Sequence, residues 1–357
     1  MSSRCYDDAA TGPLVITELR CPRSLLGFPE RLMPSPVRIA RSGRTQPGAR
    51  LAGLGAYRPS MIVDNSEAAS RAEVSAEWIA QRVGVLERRY AGSRETVVSM
   101  ATAAAKGALA DCGLSPDDVD VVLLATCSVP SPMPNGASQV AAALGCSSSA
   151  AFDVNAACSG FSHSLALADS LVRSGTARHV LAVASERMSD WVASSDRNTG
   201  PIFADGAAAA LVLPSERPEI FPVAWGSDGS LAHLITIDPV TRQMTMQGRK
   251  VFRWTTSALM PVIHSACDRA GITLAQLRAF VPHQANLRII ELLSAAIGAK
   301  DLIVADDVVH AGNTCAASVP LALYELVQRG DIRSGDPILL FGFGAGLTYA
   351  AQVVLCP

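Results

Sequence analysis

Apolar residues in this chain fall into short unbroken runs, each stopped by glycine, proline or small polar residues, and each followed by apolar positions every three or four residues. Runs of that length suit buried strands, and the spacing behind them suits helices with one face on a core. Residues 120–125 predict a buried strand, preceded by a helix over 97–112 that Gly113 closes. Residues 150–154 predict another strand, and Phe161, Leu165, Ala168 and Val172 line one face of the helix behind it. Strands follow at 179–184 and, after Phe203-Ala204-Asp205-Gly206, in a small-residue run that ends at Pro214. Residues 279–282 are a further strand, His283-Gln284-Ala285-Asn286 a turn, and Leu287, Ile290, Leu293 and Ile297 a helix face ended by Gly298. A third instance runs from a strand at 302–305 through a loop at 310–314 to a helix ending at Gly330. Alternation of this kind predicts an α/β fold with parallel sheets and helices packed on them. The unit of strand, polar turn and helix at Cys158 recurs at His283, which suggests an internal duplication with a site where the halves meet.

Elsewhere the pattern is less regular. Residues 75–84 read as a short helix closed by Gly84, and 50–57 as a first strand and loop. Gly53-x-Gly55 is half a dinucleotide fingerprint, but the third glycine is missing and Arg58-Pro59 stands where a helix should open. Residues 221–246 alternate and are rich in turns, and 249–270 read as helix. The uncharged run 338–355 is long enough to span a membrane, yet Gly342, Gly344 and Gly346 divide it into two buried strands joined by a turn. Residues 1–48 mix prolines and arginines without periodicity and are expected to form a poorly ordered extension, solvated or in contact with an acidic partner. The remainder divides into halves at 49–215 and 216–357.

Composition narrows the class. Apolar residues are 49% and charged residues 17%, as in a heavily buried α/β protein. A net charge of −2 without a dominant basic stripe points away from nucleic acid. Nine scattered cysteines, with no C-x-x-C pair and no histidine at ligand spacing, suggest neither a disulfide framework nor a metal site. A cytoplasmic protein with no secretory signal is the expectation.

Three residues carry candidate chemistry. Cys158 sits where a strand turns into a helix, and the N–H groups and positive dipole end of a helix stabilise a thiolate. The alternative for Cys158 is a small buried apolar residue. His283 and Asn313 follow strands in the same manner, and side chains beyond the carboxyl ends of such strands can converge.

The segments Asp153-Val154-Asn155-Ala156-Ala157-Cys158-Ser159-Gly160-Phe161, Val281-Pro282-His283-Gln284-Ala285-Asn286 and Gly312-Asn313-Thr314-Cys315-Ala316-Ala317-Ser318 resemble the three signatures of β-ketoacyl-acyl carrier protein synthase III. Gly342-Phe343-Gly344-Ala345-Gly346 resembles its glycine-rich loop. The resemblance covers about residue 51 to the end. It implies a thiolase fold, duplicated halves in a five-layered αβαβα sandwich, assembled as a homodimer. It also implies decarboxylative condensation of an acyl-CoA primer with malonyl-acyl carrier protein, without a cofactor or metal. In that scheme Cys158 is acylated, with the N–H groups of Cys158 and Ala345 as the oxyanion hole, while His283 and Asn313 stabilise the enolate left by decarboxylation.

The same resemblance gives Trp78 and Arg197 to the adenine of CoA, Arg82 to the tunnel mouth, Arg288 to the carrier protein, and Met133, Phe203 and Phe343 to the acyl pocket. Met133 belongs to a loop expected to wall the partner's pocket. Departures stand out at Asn155, at two positions of Phe203-Ala204-Asp205-Gly206-Ala207-Ala208 where alanine replaces the family's glycine, and at Cys315, where the family pattern has a serine. With the N-terminal extension, they suggest a starter-unit priming enzyme of secondary metabolism. The competing function is acyl transfer from cysteine to a hydroxyl or amine without decarboxylation.

Overall fold

Two five-stranded sheets with the same strand order organise the computed structural model, which describes residues 44–357. The first half contains β1 (Gly48–Tyr57), β2 (Met61–Asp64), α1 (Asn65–Ala72), α2 (Ala76–Arg82), β3 (Glu87–Tyr90), α3 (Val97–Asp111), β4 (Val121–Ala125), α4 (Gly136–Leu144), β5 (Ala150–Val154), α5 (Gly160–Arg173), β6 (Val180–Arg187) and β7 (Asp205–Ser215). The second contains β8 (Ala224–Ser227), β9 (Ile235–Ile237), β10 (Met244–Met246), α6 (Gly248–Ala258), α7 (Met260–Ala270), β11 (Ala279–Pro282), α8 (Leu287–Ile297), β12 (Ile303–Val304), α9 (Val308–Ala311), α10 (Ser318–Gln328), β13 (Pro337–Gly344) and β14 (Thr348–Leu355).

The sheets run β5-β4-β6-β7-β1 and β12-β11-β13-β14-β8. In each, the first two pairings are parallel and the last two antiparallel. This repeat is the duplication, but it corrects the correspondence expected from the sequence pattern. β12 occupies the place of β5, so the turn at Cys158 matches the turn carrying Asn313 and Cys315. His283, after β11, matches the end of β4. Every strand-to-helix unit has the same polarity pattern, and only the hydrogen-bonded strand order distinguishes them.

Alternation along the strands builds the layers. Val121, Leu123, Ala125, Val180, Ala182 and Ala184 face a core shared with Phe161, Leu165 and Val172 of α5, with Val319, Leu323 and Leu326 of α10, and with Val281, Ile338 and Leu340 of the second sheet. The opposite faces of the two sheets pack on α3 and α4, and on α7 and α8. The result is the five-layered αβαβα sandwich. Burying each large side chain of α5 stabilises by about 1.5–3 kcal/mol, and truncating Leu165 to alanine costs about 2–5 kcal/mol.

Local chemistry sets the boundaries. Thr96 and Ser99 form a capping box that starts α3. The glycines of the discarded dinucleotide pattern have a packing role: a Cβ at Gly55 would come 2.1 Å from the Ala104 carbonyl oxygen and one at Gly53 2.4 Å from that of Ala108. They allow α3 to lie close on β1. Residues 249–270 are two helices rather than one, because Pro261 has no N–H to continue the ladder and the chain restarts at Met260. Residues 338–355 form β13 and β14 joined by a tight turn. No helix among the described residues is long and apolar enough to cross a membrane. Most of the arginine- and proline-rich stretch lies outside the described residues. Gln46 N–H already bonds the Arg173 carbonyl, and Gly48 opens β1, so the core begins before residue 49.

Candidate active site

Cys158 lies in a 3₁₀ turn, Ala157–Ser159, between β5 and α5. Ala157 before it has a φ of 45°, a left-handed conformation that costs a non-glycine residue about 1–2 kcal/mol. The Asn155 side chain supports that turn by accepting a hydrogen bond from Ala157 N–H at 3.3 Å. Asp153 in the same signature braces the next element instead: its two oxygens accept from Gly136 N–H at 2.8 Å and Ala137 N–H at 2.7 Å at the start of α4. In the matching turn of the second half, Cys315 opens a 3₁₀ turn before α10, again with a positive φ of 50°. Strained turns in equivalent places bring the N-terminal ends of the two central helices together.

Two elements of the second half close on Cys158. Gly344 ends β13 so near it that an added Cβ would lie 2.7 Å from the Cys158 Cβ and 3.0 Å from its Sγ. Ala345 is the next residue and begins the turn into β14. The Thr348 hydroxyl is 3.1 Å from the Ala156 carbonyl, 2.9 Å from the Ala345 carbonyl and 2.8 Å from Ser159 Oγ, tying this turn to the cysteine's. From the other side, His283, buried at 2% exposure, lies close enough to the Cys158 sulfur to lower its pKa.

The histidine is held in one tautomer. Ser318 Oγ sits 2.7 Å from His283 Nδ1 and accepts the Gln284 N–H at 3.3 Å. Nδ1 is the acceptor that lies within reach of the Ser318 hydroxyl proton, and on that assignment the His283 proton sits on Nε2. Phe343 meets the imidazole edge-on, with ring centroids 5.3 Å apart. Asn313 is fixed as tightly. Its backbone pairs with Ile202 and Ala204 at 2.9 Å each, and its Oδ1 accepts Cys315 N–H at 2.8 Å, so the NH₂ end is the available donor.

The Cys158 thiol is held well below the usual cysteine range. A hydrogen bond from Cys315, with sulfurs 3.3 Å apart, contributes most; burial opposes it, and the neighbouring His283 adds to it. Cys315 is pushed well above the ordinary value by its contacts with Cys127 and Cys158 and by burial. Cys127 lies 3.5 Å from Cys315 and donates to Glu186 Oε1 at 3.4 Å. Its contact with Cys315 pulls it down, but burial and the Glu186 charge outweigh that and leave it at about 11. Glu186, also bonded to Ser128, is raised to about 7 by burial. Cys127, Glu186 and Cys315 set three donor atoms within 4.8 Å of one another. Phe203, 5% exposed, packs in the same wall with Met188, Val192 and Cys315.

The remaining sequence candidates lie further out. The Arg197 guanidinium is 5.4 Å from the Trp78 ring centroid, so the two stack on each other, and a base between them requires one to swing away. Arg82 ends α2 and is exposed. The Arg288 guanidinium bonds the carbonyls of Gln81 at 3.1 Å and Ala80 at 3.3 Å and pairs with Glu291 at 2.9 Å, bracing the end of α2. Met133 is 82% exposed. Sequence reasoning missed Ser318, Thr348, Cys127 and Glu186. Only Ser318 had a signal, its place in the Asn313 signature.

A family profile described as 3-oxoacyl-[acyl-carrier-protein] synthase III matches residues 152–229, and its C-terminal counterpart matches residues 267–356. The chain is 47% identical to beta-ketoacyl-[acyl-carrier-protein] synthase III 2 of Streptomyces avermitilis, over 87% of this chain and 99% of that one. It is 47% identical to synthase III 4 of Streptomyces coelicolor, with the same coverage. Among solved structures, the priming beta-ketosynthase of the R1128 polyketide pathway matches with a TM-score of 0.85 at 38% identity, over 90% of this chain and 99% of that one. The 3-oxoacyl-[acyl-carrier-protein] synthase III of Aquifex aeolicus matches at 0.83 with 36% identity, over 86% of this chain and all of that one.

Proposed function

This chain belongs to the β-ketoacyl-acyl carrier protein synthase III family, and from that premise we propose how its residues divide the reaction. The protein is an enzyme with the thiolase fold. It condenses an acyl-CoA with malonyl-acyl carrier protein to give a 3-oxoacyl-acyl carrier protein and CO2, using no cofactor. In the acyltransferase step, the Cys158 thiolate attacks the thioester carbonyl and CoA leaves as its thiolate, so the acyl group rests on sulfur. The oxyanion formed on the way is met by the N–H groups of Cys158 and Ala345. Losing one such donor typically costs about 3–4 kcal/mol.

In the second step malonyl-acyl carrier protein loses CO2, and the enolate oxygen accepts from His283 Nε2 and the Asn313 NH₂ group. The carbanion attacks the acyl thioester, the new carbon–carbon bond forms, and Cys158 leaves as thiolate. The observation that carries this reading is the meeting of Cys158 with His283 and with the Gly344-Ala345 turn, each supplied by a separate element. Ser318 positions the histidine, and Asn313 is held with its donor end free. An acyl transfer without decarboxylation would leave the Asn313 donor without a task.

We further propose that Phe203 and Phe343 wall the primer, that Trp78, Arg197 and Arg82 receive CoA, and that Arg288 meets the carrier protein while it braces α2. Met133 acts across a homodimer, an assembly supported by the edge position of β5 and by Phe152 on it, 40% exposed. All seven cysteines among the described residues are free, which supports a cytoplasmic location. The likeness to a priming ketosynthase supports a starter-unit role, with two thiolase repeats that meet at about residue 215. Incubation with a panel of acyl-CoAs and malonyl-acyl carrier protein tests this. CO2 release matched by 3-oxoacyl product supports condensation; ester or amide formation without CO2 overturns it.

A further inference from the structure

Three thiols and a carboxyl form a chain through the wall beside the nucleophile, and condensation uses only the first. Cys315 Sγ stands between the others, 3.3 Å from Cys158 Sγ and 3.5 Å from Cys127 Sγ. Its left-handed backbone is fixed by the bond from its N–H to Asn313 Oδ1. Cys127 donates its S–H to Glu186 Oε1. Glu186 is anchored by Cys127 N–H, by Thr126 Oγ1 at 3.2 Å and by Ser128 Oγ. A sulfur in contact with two others is within reach of thiol–disulfide exchange with either, and the carboxyl beside Cys127 can take its proton.

We propose that Cys315 and Cys127 are a resolving pair that takes a two-electron oxidation by a hydroperoxide off Cys158 and holds it as a Cys127–Cys315 disulfide, leaving the nucleophile free. This rests on the reading of Cys158 as the acylated thiolate. In the first step the Cys158 thiolate attacks one peroxide oxygen, the O–O bond breaks, the other oxygen leaves as alkoxide or hydroxide, and Cys158 becomes a sulfenic acid. Cys315 sulfur then attacks Cys158 sulfur. The S–O bond breaks, and the hydroxyl leaves with the Cys315 proton as water. Finally Cys127 gives its proton to Glu186 and attacks Cys315 sulfur, and Cys158 departs as thiolate. The Glu186 proton neutralises the alkoxide or hydroxide released at the start. In sum, two thiols and one hydroperoxide give one disulfide, an alcohol or water, and one further water.

The last exchange has a direction. The thiol held lowest is the best leaving group, and a thiolate stabilised in the reduced protein makes a disulfide to it oxidising. In either disulfide Cys315 no longer has a proton to donate, so the preference rests on His283, which still favours the Cys158 thiolate, whereas Cys127, at about 11, has no such neighbour and resists standing as a free thiolate. Without the pair, a low-lying, partly accessible thiolate goes on to sulfinic acid, which thiols do not reverse.

The test treats the full chain with a small excess of hydrogen peroxide in the presence of a chelator. Catalase stops the reaction, free thiols are alkylated under denaturing, non-reducing conditions, and peptides are mapped by mass spectrometry. Acyl loading from acyl-CoA is measured in parallel, each protein against its own untreated sample. The wild type is expected to show the Cys127–Cys315 crosslink, an alkylated Cys158, and loading close to the untreated level. Cys127→Ser should stop at a Cys158–Cys315 disulfide and lose loading until a thiol reductant is added. Cys315→Ser should form no crosslink, gain two oxygens on Cys158 and lose loading irreversibly. The proposal is overturned if the wild type loses loading as fast as Cys315→Ser, or if its stable product is the Cys158–Cys315 disulfide. Absence of loading in the untreated wild type would instead defeat the nucleophile reading, while the peptide map still decides the exchange.

Discussion

Replacing Ser318 by alanine separates positioning from chemistry. Ser318 is fully buried and its hydroxyl gives His283 Nδ1 a 2.7 Å bond, so the variant leaves Nδ1 without a partner and the Nε2–H tautomer without support. An unmatched buried polar group costs about 1–3 kcal/mol. If that falls on the transition state for decarboxylation, CO2 release slows by roughly 5- to 150-fold. Acyl loading should fall less, because Cys315 still holds the Cys158 thiolate. The assay pre-loads the enzyme with acyl-CoA, adds malonyl-acyl carrier protein and follows CO2, with stopped-flow loading and a melting curve as companions. Unchanged CO2 release in a folded variant would refute the tautomer argument. An equal loss in both steps, tracking a collapsed melting temperature, would make Ser318 merely structural.

Three other outcomes follow from named contacts. Gly344→Ala puts a Cβ 2.7 Å from the Cys158 Cβ, and displacing the nucleophile by even part of an ångström should slow single-turnover acylation by about 10²-fold. Trp78→Ala removes a cation–π stack and a base platform, so KM for acyl-CoA should rise about 2- to 30-fold while CO2 release from loaded enzyme is unchanged. Glu186 ionises near 7 when folded against an ordinary 4.5, so the folded state binds the extra proton between those values. Its contribution to stability is complete below pH 4.5 and is lost as pH rises through about 7, a change on the order of 3 kcal/mol. Denaturant titrations of wild type and Glu186→Gln across this window should diverge with rising pH in favour of the glutamine variant, and parallel curves would contradict the assignment.

The strand and helix periods were readable because each buried face is a local pattern; Phe161, Leu165 and Val172 lie on one helix and reach one core. Which units correspond was not, since the match of the Cys158 turn to the Cys315 turn depends on strand order across the sheet. Pro261 marked a helix break that the apolar spacing around it concealed. Cys158, His283 and Asn313 stand out because their turns interrupt apolar runs with reactive or polar residues. Cys127 and Glu186 end neighbouring strands without any such break, and only the parallel pairing of β4 with β6 sets them side by side. Ser318 looks like an ordinary helix-start serine until α10 passes under His283.

The division of labour between one cysteine and two neutral donors is open to direct measurement by intact mass after a single turnover with acyl-CoA. Wild type, His283→Ala and Asn313→Ala should each gain one acyl group, and Cys158→Ala should gain none. On adding malonyl-acyl carrier protein, only the wild type should lose the adduct with matching CO2. An acyl adduct that persists in Cys158→Ala, or CO2 released at the wild-type rate by both donor variants, would contradict the account.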